Sequence, residues 1–148
     1  MADFPARERP RLNLDNLTDV DAAAPSDGDA LVFDSVSGHW KKGPVRVVPT
    51  VAKTADATLA LTDAGKAVEV TKSSGVTITV PPNSSVAFPI GTELEVIQCG
   101  PGRVTLAAGV GVTLQARVGL ISTAQWGVMR LRKTATDTWI VSGDAAAS

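Results

Sequence analysis

Apolar and polar residues alternate with a period of two over several short stretches of the chain. Val76-Thr77-Ile78-Thr79-Val80 places three aliphatic side chains on one face and two threonines on the other, the pattern of a half-buried strand. Glu93–Ile97 and Val128–Arg132 alternate in the same way, with Glu93 and Glu95 on one face of the first and Arg130 and Arg132 on one face of the second. Further strands are predicted at 58–61, 67–70 and 139–141. Turn residues separate them: Asp63-Ala64-Gly65, Pro81-Pro82-Asn83 and Gly100-Pro101-Gly102. Nearer the start, Ala30–Phe33 and His39–Lys41 flank Ser37-Gly38 and predict a hairpin. Val45–Val48 predicts one more strand before Pro49. Residues 103–110 (RVTLAAGV) and 111–118 (GVTLQARV) repeat a VTL core eight residues apart. They predict successive strands or rungs, although two units are too few to define a solenoid.

Composition sharpens this picture. The chain has 148 residues with 19 Val and 15 Thr, which favour pleated strands, and 13 Gly and 9 Pro, which supply turns. The fold class predicted is all-β. Residues 1–28 form an extended anchoring arm, in which Pro5, Pro10 and Pro25 oppose helix. Residues 29–49 form a β-hairpin linker unit. Residues 50–144 form a compact antiparallel β-sandwich or barrel-like domain, because strand signals recur every 8–12 residues or so. Residues 145–148 are a tail. Tyr is absent and aromatics are 4%, so the core must be tiled with small aliphatic side chains. A domain of this kind gains stability by association.

Charge and chemistry narrow the function classes. The formal charge of −1 supplies no global field for nucleic acid or anionic lipid, so neither nucleic acid nor membrane is expected as a partner. No apolar run approaches a membrane span, and the first residues lack the apolar stretch of a secretory signal; synthesis in a reducing cytoplasm is the expectation. One Cys and one His exclude an intrachain disulfide and a two-His metal site. His39 could serve as the base of a Ser–His–Asp set with Asp34, but no G-x-S-x-G elbow is present, and it is read as a strand histidine. The acids from Asp15 to Asp34 could ligate calcium, yet they lack the EF-hand order and are read as turn and cap residues. Glu93 and Glu95 lie about 7 Å apart on one strand face. A glycosidase pair is one reading; cross-strand pairing with Arg130 and Arg132 is the preferred one. The Gly-rich segments complete neither a dinucleotide nor a phosphate loop, and Cys99 is read as an inert thiol. No catalytic residue, cofactor or metal is predicted, and the chain is not expected to be an enzyme.

Residues 14–40, LDNLTDVDAAAPSDGDALVFDSVSGHW, resemble a segment frequent in virion proteins of tailed bacteriophages. Leu14, Leu17, Asp19, Val20, Pro25, Gly28, Leu31, Asp34, Gly38 and Trp40 carry the likeness. Residues 59–144, with LTDAGKAVEV, TITVPPNSSVAFPIGTELEVIQCGPGRVTLAAGVGVTL and TDTWIVSGD as landmarks, resemble the β-rich C-terminal domain of the same proteins. The resemblance implies a structural protein of the virion surface, usually a homotrimer, with the major capsid protein or another virion protein as partner. No fibre-shaft repeat or coiled-coil heptad is present, which suits a capsid decoration protein or short head fibre. The arm residues expected to bind the capsid are Arg7, Arg9 and Arg11 as charged contacts and Leu12, Leu14, Leu17 and Val20 as apolar anchors. Trp40 is expected to pack the hairpin or a trimer seam. The alternative is a tail-fibre component that binds host-surface glycans, for which Trp126, in a loop between Gln125 and Gly127, is the candidate contact.

Overall fold

A computed structural model describes residues 17–21, 29–44 and 48–147. The described residues form two compact units, one within Met1–Val47 and one within Val48–Ser148. Strands dominate both, and the all-β class is what the structure displays.

The first unit is a three-stranded sheet of β1 (Val20–Asp21), β2 (Asp29–Asp34) and β3 (His39–Pro44), in the order β1-β3-β2. β2 and β3 form the expected antiparallel hairpin, with Phe33 opposite Trp40 and Asp34 opposite His39. The loop between them is closed by Asp34. Its carboxylate accepts from the Val36 N–H at 2.9 Å and the Ser37 hydroxyl at 3.0 Å, an Asx-type turn. Gly38 takes φ +72° at the end of that loop, where a Cβ would be strained. β1 adds in parallel to β3, pairing Val20 with Trp40. Val45–Val47, the centre of one expected strand, lie outside the described residues.

The second unit departs from the antiparallel sandwich. Its strands are β4 (Thr50–Lys53), β5 (Ala57–Thr58), β6 (Ala67–Val70), β7 (Val76–Val80), β8 (Glu93–Gln98) and β9 (Val104–Ala108). They continue as β10 (Thr113–Ala116), β11 (Ile121–Ser122), β12 (Val128–Ala135), β13 (Thr138–Gly143) and β14 (Ala145–Ala146). They build two sheets, ordered β10-β13-β12-β8-β6-β4 and β14-β11-β9-β7-β5. Up to β9, the chain alternates between the two sheets at every strand, and successive strands of each sheet pair in parallel. This is solenoid-like winding in three rungs: β4–β5, β6–β7 and β8–β9. The turns at 63–65, 81–83 and 100–102 are arches that carry the chain from one sheet to the other. The final strands supply the antiparallel pairings, β12 with both β8 and β13, and β11 with both β9 and β14. β10 lies beyond them, parallel to β13 at the sheet edge. The two VTL repeats fall in β9 and β10, which belong to different sheets and are not stacked rungs. Of the strand expected at 58–61 only Thr58 lies in β5, and Leu61 opens a 3-10 turn, Leu61–Asp63. Ala145–Ala146, expected in a tail, pairs with β11.

The core lies between the two sheets. Val68, Val70, Leu94, Val96, Met129, Leu131, Trp139 and Val141 point in from one sheet; Val76, Ile78, Val80, Val104 and Leu106 point in from the other. Parallel stacking puts like residues above each other, as in Val51–Val68–Val96 and Ile78–Leu106. The arches stack as well. Gly102 sits so close to the Lys72 and Ser74 carbonyls of the arch below that a Cβ there would collide with backbone, and its N–H donates to the Lys72 carbonyl at 3.1 Å. One buried polar pair fills the core near that arch: Ser122 Oγ donates to Gln98 Oε1 at 2.5 Å and accepts from the Val104 N–H at 2.8 Å.

Candidate interaction surface

Paired residues of neighbouring strands point to the same side of a sheet. In the small unit this gathers most of the large apolar side chains on one side. One side carries Val20, Leu31, Phe33 and Trp40, with Lys42 at the register position opposite Leu31. The other carries Asp21, Val32, Asp34, His39 and Lys41. On this polar side Lys41 Nζ meets Asp34 Oδ2 at 2.7 Å. Hydrogen bonds from Lys41, Val36 and Ser37 hold the Asp34 carboxyl far below the usual carboxylate range, and the same contact raises Lys41. On the apolar side Phe33 and Trp40 meet edge to face with ring centroids 5.4 Å apart. This contact joins Trp40 of β3 to Phe33 of β2 across the hairpin. Among the described residues that side is largely exposed: Leu31 is 39%, Phe33 52% and Trp40 42% exposed. No described residue of this unit is fully buried.

Of the predicted arm contacts, Arg7, Arg9, Arg11, Leu12 and Leu14 lie outside the described residues. Leu17 is exposed in the turn that leads into β1, where its carbonyl accepts from the Val20 N–H at 3.2 Å. Val20 is half-buried beside Trp40. Val20 therefore belongs to the same small sheet as Trp40, and Leu17 to the turn that leads into it.

Trp126 belongs to the second unit and stands apart from its core, 68% exposed, at φ +72°. A bulky residue in that region costs about 1–3 kcal/mol and persists only where the surroundings hold it. They do: its N–H donates to the Gln98 carbonyl at 2.7 Å, Gly127 N–H to the Ala124 carbonyl at 3.0 Å and Gln98 N–H to the Gly127 carbonyl at 3.0 Å. Gln125 Nε2 adds a bond to the Cys99 carbonyl at 2.8 Å. The turn is rigid and its indole is on display.

The other candidates resolve into ordinary sheet chemistry. Glu95 and Glu93 stand opposite Arg130 and Arg132, with ion pairs of 2.7 and 2.6 Å, the pairing preferred from sequence. Burial, and then Glu69, push the Cys99 thiol up, away from a reactive thiolate. Among the described residues no group of three His, Cys, Asp or Glu side chains could hold a metal ion, and no helix is long and apolar enough to cross a membrane.

One buried polar centre was missed in the sequence reading. Lys133, at 2% exposure, points into the core from β12. The signal was available: extending the inward alternation Met129, Leu131 by two positions reaches Lys133.

No protein-family model matches the chain, and no curated protein or solved structure matches it.

Proposed function

We propose that this chain is a structural component of the virion surface of a tailed bacteriophage, a capsid decoration or head-fibre protein that acts as a homotrimer. The phage context rests on the sequence resemblance of residues 14–40 and 59–144. The observation that carries the assembly role is the exposed apolar side of the small sheet. A three-stranded sheet reaches independent stability only when such a face is covered. Three copies of one face, formed by Leu31, Phe33, Trp40 and Val20, could close around a common axis. The N-terminal segment with Arg7, Arg9, Arg11, Leu12 and Leu14 would then dock on the major capsid protein, and the solenoid unit would project. Such a protein stabilises the shell because it binds only the assembled state.

Two measurements test this. Sedimentation equilibrium of the full chain is expected to give a trimer, and Phe33→Ser with Trp40→Ser a monomer whose second unit still unfolds cooperatively; a monomeric parent chain rejects the seam. A labelled antibody fragment against the second unit, viewed on intact particles, is expected to mark the head in a lattice. Label confined to the tail rejects decoration and favours the second reading, host-glycan attachment through Trp126, which its strained and exposed position supports.

A further inference from the structure

Lys133 occupies a built polar centre at the turn end of the β12–β13 hairpin. Its Nζ donates to Asn83 Oδ1 at 2.6 Å and to the Phe88 carbonyl at 2.8 Å. It lies 5.9 Å from the centroid of the Trp139 ring, and that ring meets Phe88 edge-on at 5.4 Å. The backbones on both sides are pinned. Lys133 N–H donates to the Thr92 carbonyl and Gly91 N–H to the Lys133 carbonyl, each at 2.9 Å. The Asn83 N–H donates to Asp137 Oδ1 at 2.6 Å. Among the described residues no carboxylate forms an ion pair with Lys133. Burying a cation without a counter-ion is costly in general. A lysine here is also a large residue held at one place by three groups, when an aliphatic side chain would fill the same core position.

Distance adds to this. A nitrogen in hydrogen-bond contact with an amide oxygen lies about 3–4 Å from the amide carbon, the range of a near-attack arrangement. We propose that Lys133 and Asn83 are joined by an intramolecular isopeptide bond. Lys133 Nζ passes a proton to Asn83 Nδ2 and attacks Asn83 Cγ, forming the Nζ–Cγ bond. The Cγ–Nδ2 bond breaks, and Nδ2 takes a second hydrogen from Nζ and leaves as ammonium, which carries the charge away. The carbonyl oxygen stays in place, and neither an oxidant nor a cofactor is required. The broad χ2 of asparagine lets the amide turn its face to the amine, while the Phe88 carbonyl keeps the amine aimed and the Phe88 and Trp139 rings keep water away. The product is a neutral amide that ties the loop after β7 to β12 and leaves no cation in the core.

The test is the intact mass of the full chain, purified and held at neutral pH, followed by proteolytic mapping. The expected result is a mass lower than the sequence value by one ammonia and a branched peptide that contains both Asn83 and Lys133. Lys133→Arg keeps a buried cation but no nucleophilic amine, and is expected to show the full sequence mass; Asn83→Ala provides the same control if the arginine variant does not fold. A parent chain at full mass after prolonged incubation overturns the proposal. So does an ammonia loss without the branched peptide, which would mark a succinimide at an asparagine instead.

Discussion

Both units gather large apolar side chains on one side of a sheet, yet among the described residues only the larger unit buries that side. In residues 48–147 the inward positions of two sheets face each other and close a core of aliphatic side chains around Trp139. In the small unit Val20, Leu31, Phe33 and Trp40 line one side of a sheet and stay partly or largely exposed. The same local pattern therefore serves two purposes. Where a second sheet lies opposite, it specifies a core. Where none does, it leaves large apolar side chains exposed, and composition alone does not distinguish the cases.

The largest effect expected from this contrast is at Trp139. Trp139→Ala removes a buried ring from beneath Lys133 and Phe88 and should cost about 3–5 kcal/mol, read as a lowered urea midpoint for the second unit. Phe33→Ala, which is also aromatic and also in a sheet, should leave that midpoint within about 0.5 kcal/mol. Equal losses at both positions would end the distinction between core and surface.

A smaller effect separates the two faces of the small sheet. Asp34 is held below its ordinary value, so its contribution is present above the unfolded carboxylate value of about 3.9. It fades as pH falls from there toward the folded value. Acidification should therefore release Lys41 and open the 35–38 loop, seen in the amide resonances of Val36 and Gly38. Asp34→Asn should remove that acid transition without changing the Phe33–Trp40 contact.

The smallest effect is on the outer face of the solenoid. A double-mutant cycle on Glu95 and Arg130, both in contact with solvent, should return about 0.2–1 kcal/mol and shrink with added salt. A coupling several times larger would mean that this face is shielded by another molecule.

The strand positions were legible because alternation is a local property. Val76–Val80, Glu93–Gln98 and Val128–Ala135 each announce their inward faces, and the opposite charges of β8 and β12 announced their pairing. Partner and direction were not legible. An arch such as Gly100-Pro101-Gly102 uses the same residues as a hairpin turn, and nothing in it tells whether the next strand lies beside the last or across the core. The rungs also differ too much in length and sequence to register as a repeat. In the candidate surface, the pairing of β2 with β3 was legible from the Ser37-Gly38 turn, while the addition of Val20 beside Trp40 was not. The exposure of the whole Leu31–Phe33–Trp40 side was not, because a strand's alternation does not reveal what covers it.

The position of β10 bears on the order in which the protein can assemble during synthesis. Residues 50–108 wind rung upon rung, so each strand from β6 to β9 meets a neighbour already made. Residues 113–116 have no such neighbour. Their partner in the sheet is residues 138–141, which leave the ribosome later, and the gap between is filled by strands that are also still to come. The nascent chain thus carries an open stack with one unpaired strand until residues 138–141 emerge. Closure of the stack is then a single late event, and until it occurs the edge left by β8 and β9 is open to any other strand, including that of a neighbouring nascent copy.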